Sequence, residues 1–256
     1  MTTWRNDTGR PLADADWLEA HHRAKLSERQ AFAERLVDLA PNTILDLGCA
    51  TGLWLGLLAE MLPDDCELIG VDTDPESLAI AKDRAGSWPQ QSRFLNLDIE
   101  RHGDQLPPAD LTLAFNIFPY VTDLEALIQR LAHRSPRGTL AVRQYDGAAI
   151  RFGPMPTATR QAVEASLQAS VDSSSQFRHY DLDRTYAVLS EADFEYREIG
   201  FELFQRMSPF PVEFQTYYTE TLRWTRDLLS DHNARELQSW MDAESSTLAR
   251  YFFEVD

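Results

Sequence analysis

The sequence predicts a doubly wound α/β fold, and three observations carry that expectation. Short β-rich runs alternate with amphipathic segments between residues 43 and 145. The first run, Thr43-Ile44-Leu45-Asp46-Leu47, opens directly into a glycine turn, Gly48-Cys49-Ala50-Thr51-Gly52. Acidic residues then stand at the ends of three successive runs, Asp46, Asp72 and Asp98. Strands alternating with helices imply right-handed crossovers and a parallel sheet covered on both faces. With 256 residues, 43% of them hydrophobic, the chain can bury a sizeable core as one large domain with insertions.

Taken in order, residues 14–39 read as helical, with Trp17, Leu18, Phe32, Leu36 and Leu39 at spacings that share a face, and Pro41 ends the pattern. There follow strand 43–47, helix 53–62, strand 67–72, helix 75–85, strand 93–97, strand 111–117, helix 123–134 and strand 139–145. Beyond Asp146 the regularity changes. Helices are expected at 156–171 and 182–191, a strand at 194–205, a helical region at 211–247 and a last strand at 250–255. That makes seven strands in all. The last strand pairs with 194–205 only if the helical insertion between them loops outward. Ligands of such sheets sit outside the carboxyl ends of the strands, so segments grafted there shape a substrate pocket.

Composition narrows the function. The balance of 24 basic and 41 acidic side chains, −17 in all, repels a phosphate backbone, and the cationic cluster Arg23 and Lys25 beside His21 and His22 is too small to offset it. A nucleic-acid partner is therefore not expected. Cys49 and Cys66 suggest neither a disulfide framework nor a zinc site. The N-terminus lacks the apolar core of a signal peptide and no run approaches a membrane span, so a cytoplasmic protein with no membrane partner is the expectation; a homodimer stays open.

The turn carries the chemistry. A strand, a glycine turn and a helix start form a nucleotide-binding unit, because glycines admit a ligand where a Cβ would block it. The glycines are three residues apart with Ala50 between them, so the Gly-x-Gly-x-x-Gly pattern of dinucleotide enzymes is not met, and no Gly-Lys-Ser/Thr closes a phosphate loop. Asp46 can hold loop amides or an ammonium group. Asp72 follows Gly52 by 20 residues, the offset at which a carboxylate accepts from ribose hydroxyls. Asp98 can accept from an exocyclic adenine amine. Each also has a structural reading: Asp46 as a helix cap, Asp72 within the helix start Asp72-Thr73-Asp74-Pro75-Glu76, Asp98 as a turn residue.

Together, Asp46-Leu47-Gly48-Cys49-Ala50-Thr51-Gly52, Gly70-Val71-Asp72-Thr73-Asp74-Pro75, Leu97-Asp98-Ile99 and Asn116-Ile117-Phe118-Pro119-Tyr120-Val121 resemble the class I S-adenosylmethionine-dependent methyltransferases over residues 40–146. The resemblance implies a Rossmann-like, seven-stranded, mostly parallel sheet with helices on both faces. It divides the single domain into an N-terminal helical lid at 1–40, a cofactor-binding core at 41–146, and helical substrate-cap insertions at 147–193 and 207–248. It implies S-adenosylmethionine as cofactor. Asp46, Gly48, Cys49, Ala50 and Gly52 would face its methionine part, Asp72 the ribose, Asp98 and the Ile99 amide the adenine, and the segment Phe115 to Phe118, through Asn116 and Phe118, the sulfonium, with Thr73 also among the cofactor-binding residues. Two departures stand out. Ala50 replaces a common glycine, and Pro119 and Tyr120 stand where many small-molecule members carry histidines.

Methyl transfer from a sulfonium is an in-line displacement with an activated methyl and a neutral leaving group, so positioning dominates and a base is needed only if the nucleophile must lose a proton. Candidates for base or orienter are His21 and His22 on the lid and Arg143 and Tyr145 at the end of the fifth strand. Arg143 can clamp a carboxylate, and alternation puts Arg143 and Tyr145 on one face. Solvated histidines and surface polar residues are the alternatives. No metal is expected, since Ala114-Phe115-Asn116 stands where catechol-type members cluster carboxylates, and the Asn/Asp-Pro-Pro-aromatic motif of many N-methylating members is missing. Aromatics in the insertions, namely Phe177, Tyr180, Phe210, Phe214, Tyr217, Tyr218 and Trp224, fit either a packing face or a cap over a partly apolar small molecule. The expected function is methyl transfer to a small-molecule oxygen in specialised metabolism. The alternatives are a protein of the same fold repurposed for non-methylating chemistry, and a nicotinamide-dependent oxidoreductase.

Overall fold

Thr43–Leu47 forms β1, and its apolar run is what a strand covered on both faces requires. Four further strands, β2 (Glu67–Asp72), β3 (Ser92–Asn96), β4 (Leu111–Phe115) and β5 (Thr139–Arg143), join it in a parallel sheet of order β3-β2-β1-β4-β5. The computed structural model describes residues 14–145, 149–173, 182–242 and 250–255. The helices of the core are α1 (Ala15–Ala24), α2 (Leu26–Val37), α3 (Leu53–Ala59), α4 (Pro75–Ala85) and α5 (Leu124–Arg134). On one face, Ile44, Leu68 and Leu113 pack with Ala33 and Leu36 of α2 and Leu55 and Leu58 of α3. On the other, Leu45, Val71 and Ala114 pack with Leu124, Leu127, Ile128 and Leu131 of α5.

Local chemistry sets the helix starts. Asp74 accepts from the Glu76 and Ser77 amides with Pro75 in the first helical position. Asp14 accepts from Trp17 N and Asp123 from Ala126 N. The helix expected over 14–39 divides at Lys25, which leaves helical geometry at φ −113°, ψ 18°. The reason is tertiary: the Lys25 ammonium is buried against the Glu254 carboxylate, which also accepts from Tyr217 Oη at 2.6 Å.

The expected seven-stranded sheet does not form among the described residues. Instead β6 (Ile150–Gly153), β7 (Leu203–Met207) and β8 (Tyr251–Val255) make a separate antiparallel sheet of order β6-β8-β7. The sequence expectation carried strand 139–145 two residues too far. After Arg143, the Tyr145 amide donates to Asn116 Oδ1 at 3.1 Å. Beside β5, the segment before β7 is held by ion pairs, Arg143 to Glu202 at 3.0 Å and Arg35 to Glu198 at 2.5 Å. The strand expected at 194–205 forms only from Leu203, and it pairs with β8 as the outward-looping insertion required, Phe204 opposite Glu254 and Arg206 opposite Phe252.

The insertions are α6 (Thr157–Ser173), α7 (Leu182–Glu191), α8 (Val212–Leu228) and α9 (Asp231–Asp242), the last two broken at Leu229 and Ser230. Phe214, Tyr217 and Tyr218 of α8 form a third apolar cluster with Phe152, Phe204 and Phe252, and Phe210 and Trp224 pack against it. These aromatics therefore serve as a packing face. Phe177, Tyr180, Asp146 and residues 1–13 of the N-terminal region lie outside the described residues. Among the described residues, no helix is long and apolar enough to cross a membrane.

Candidate active site

In an open sheet of this order the ligand crevice lies where the connections leave β1 and β4 in opposite directions. There the two turns touch. Gly48 has φ 69°, and a Cβ on it would stand 2.7 Å from Ile117 Cδ1, so only glycine lets the turn after β1 lie against the turn after β4. Ala50 holds φ 45°, a left-handed conformation that disfavours an L-residue by roughly 1–2 kcal/mol, which gives the physical reason why glycine is common at this place.

The turn's amides are largely spent on the protein itself. Gly48 N and Cys49 N donate to Val71 O, Gly52 N to Cys49 O, and Ala50 N to Asp72 Oδ2 at 2.9 Å. The turn thus presents a shaped backbone surface more than an array of donors. Asp72 Oδ1 accepts from Asp74 N at 2.9 Å, so this carboxylate ties the turn to the start of α4 while Asp74 does the capping. Burial raises the Asp72 pKa, although the Asp74 and Ala50 amides oppose it.

Asp46 is the unusual group. Its residue is 3% exposed, and no hydrogen bond to its carboxylate occurs among the described residues. Burial first, then the Asp72 charge, pushes it up to about 8, with Arg29 pulling the other way. Sequence reading missed Arg29. It is buried, its guanidinium 4.9 Å from the Trp54 ring, and its Nη1 lies 2.8 Å from His22 Nδ1. Only a helix that returns over the sheet brings it there, and no local motif marks it.

The other nominated residues separate. Arginine only donates, so His22 Nδ1 is the acceptor; burial and then Arg29 hold His22 near 4. His21 is stacked on Tyr217 at 5.1 Å and lies 6.0 Å from Trp17, and burial followed by Lys25, Arg29, His22 and Arg143 keeps it well below its usual range. Neither histidine is the solvated surface group of the alternative reading, and both are neutral near pH 7. Arg143 and Tyr145 do not share a face in function: the Arg143 guanidinium lies 4.8 Å from the Phe32 ring, whereas Tyr145 packs toward the third cluster. The strand ends between them, so alternation no longer applies.

Asn116, at φ 54°, ties the ends of β4 and β5 through its amide oxygen. Phe118 is turned into the core beneath α5, 1% exposed, and Phe115 takes the position facing Trp54 at 4.6 Å. Cys49 is buried against Gly70, where a Cβ would approach its Sγ to 2.7 Å. Thr73 is exposed, and Ile99 is buried in the core. Asp98 Oδ1 accepts from Glu100 N at 3.0 Å and Arg101 N at 3.2 Å, which is its turn role. Among the described residues no group of three or more His, Cys, Asp or Glu side chains is placed to hold a metal.

Residues 44–137, little more than a third of the chain, match the model of a methyltransferase domain, and that similarity supports a class I S-adenosylmethionine-dependent methyltransferase domain there, with S-adenosylmethionine as cofactor. The chain is 34% identical over 136 residues to the trans-aconitate 2-methyltransferase of Acidovorax ebreus (strain TPSY), covering 51% of this chain and 50% of that protein. It is 35% identical over 111 residues to the malonyl-[acyl-carrier protein] O-methyltransferase of Anoxybacillus flavithermus (strain DSM 21510 / WK1), covering 43% and 41%. The chain thus spans about half the length of the curated relatives it matches. Among solved structures it is similar to the plantazolicin methyltransferase BpumL in complex with a pentazolic desmethylPZN analog and SAH, at 16% identity, 95% and 91% coverage and a TM-score of 0.41.

Proposed function

We propose that the protein transfers the methyl group of S-adenosylmethionine to an oxygen of a small molecule by in-line displacement. The observation that carries this reading is the nearly buried Asp46 carboxylate at the glycine turn, without a hydrogen-bond donor among the described residues and within the field of the buried Arg29 guanidinium. A carboxylate and a guanidinium near enough to act on one another electrostatically match the ammonium and carboxylate of an amino-acid moiety. In this reading Asp46 holds the ammonium, Arg29 the carboxylate, Asp72 the ribose hydroxyls, and Asp98 with the Ile99 amide the adenine. When bound, the cofactor supplies the activated methyl; the protein positions and excludes water. The pair α1 and α2, packed over the turn, is the cover. The name of the malonyl-[acyl-carrier protein] relative supports oxygen as the acceptor atom.

The test is calorimetric. An ammonium on Asp46 favours its ionised form, so below about 8 binding expels a proton from this carboxyl. Affinity for S-adenosylmethionine rises as pH climbs toward about 8, by at most tenfold per pH unit, and then levels. Buffers of different ionisation heat should report close to one proton released at pH ~7, and none for Asp46→Asn. Binding of nicotinamide dinucleotides with no binding of S-adenosylmethionine would overturn the assignment.

A further inference from the structure

We propose that the acceptor is an organic acid, bound through its carboxylate to Arg143 in the place that Glu202 now takes, and that a carboxylate oxygen receives the methyl group. The inference rests on the methyl-transfer reading and names its substrate class.

The charge pattern is local. In a chain of formal charge −17, the charges that hold His21 below its usual range come from cations: Lys25 and Arg29 from the helix pair and Arg143 from the end of β5. Lys25 is neutralised within the core by Glu254. Arg143 is different. Its side chain is 10% exposed and its guanidinium lies between the Phe32 ring at 4.8 Å and the Trp54 ring at 5.8 Å, a fixed cation one strand away from Phe115. Glu202, one of its partners, is 42% exposed, comes from the irregular segment before β7 and also lies 3.9 Å from the exposed Arg35. An exposed carboxylate on a buried guanidinium marks where a ligand carboxylate fits, because the planar fork accepts two oxygens and a solvated glutamate gives way cheaply.

The chemistry agrees with the neutral histidines. A lone pair of the carboxylate oxygen forms the new C–O bond as the methyl C–S bond breaks and its electron pair returns to sulfur, leaving a methyl ester and a neutral thioether. No proton is released and no base is needed. An alcohol or amine acceptor would instead shed one proton per turnover.

The experiment uses the full chain, S-adenosylmethionine labelled in its methyl group, and a panel of aliphatic and aromatic carboxylic acids, each paired with the alcohol and amine of the same skeleton. Label should pass to acids, come off as methanol in mild alkali, and appear without acidification of a weakly buffered indicator. For the best acid, Arg143→Met should weaken equilibrium binding in the presence of S-adenosylhomocysteine about 100-fold, with Arg143→Lys between the two. Glu202→Gln should tighten it several-fold, a gain that a purely structural ion pair would not give. Label passing only to alcohols or amines with proton release, S-adenosylmethionine binding with transfer to no acid, or acid binding indifferent to Arg143→Met each overturns the proposal. Absence of S-adenosylmethionine binding overturns the underlying reading instead.

Discussion

Asp72→Ala is expected to raise the Kd for S-adenosylmethionine by about two to three orders of magnitude. An ionised carboxylate offers about four acceptor positions, and Asp72 commits one oxygen to Ala50 N and the other to Asp74 N, each at 2.9 Å. In the proposed assignment the remaining lone pairs accept from the ribose, and two charge-assisted bonds of roughly 1.5–3 kcal/mol each set the size of the loss. Asp72→Asn keeps one acceptor and should fall between. Calorimetric titration measures the effect, and far-UV circular dichroism confirms that the turn, deprived of its tie to α4, stays folded. An unchanged Kd would show that the ribose lies elsewhere and that Asp72 is only a strut of the turn.

Glu254→Ala should destabilise the fold by about 3–5 kcal/mol, because it leaves the Lys25 ammonium buried without its anion and removes the acceptor of Tyr217 Oη. For a chain of this size that corresponds to a fall in Tm of roughly 10 °C. Lys25→Met combined with Glu254→Leu should recover most of the loss, since a buried pair replaced by apolar groups of similar volume is often neutral. Thermal melts of the single and double variants decide it. If the double variant melts as low as Glu254→Ala, the contribution comes from packing around Tyr217 and not from the charge pair. The pair matters beyond stability because it anchors the junction of α1 and α2. Arg206 adds to that anchor by donating to Ala24 O at 2.9 Å and to Glu28 at 2.7 Å. Arg29, the guanidinium assigned to the cofactor, sits one turn further along α2.

Much of the core was legible from residue order. β1, the glycine turn, Asp72 and the capped start of α4 are encoded within a few neighbouring residues, so pattern and turn chemistry suffice to place them. The insertions were legible only as helices. Where they pack, and that Phe214, Tyr217 and Tyr218 face a core of their own, depends on contacts between residues far apart in the chain. The break at Lys25 illustrates the limit: nothing in Arg23-Ala24-Lys25-Leu26 ends a helix, and the cause is a carboxylate more than two hundred positions away. The same holds for the sheet. Residues 139–145 read as one strand, and only the bond from Tyr145 N to Asn116 and the ion pair from Arg143 to Glu202 show why the parallel sheet stops.

The sequence by itself determined the α/β class, the glycine turn with its left-handed positions, and the carboxylates at the strand ends, because each is set by short-range sterics and hydrogen bonding. Tertiary structure alone decided that the sheet divides in two, that Arg29 is buried where its charge acts on Asp46, that both histidines are held neutral, and that Arg143 packs on Phe32 while pairing with Glu202. Those outcomes depend on burial and on charges brought together across the fold, and desolvation and Coulomb energy are properties of a place in space that residue order does not reveal.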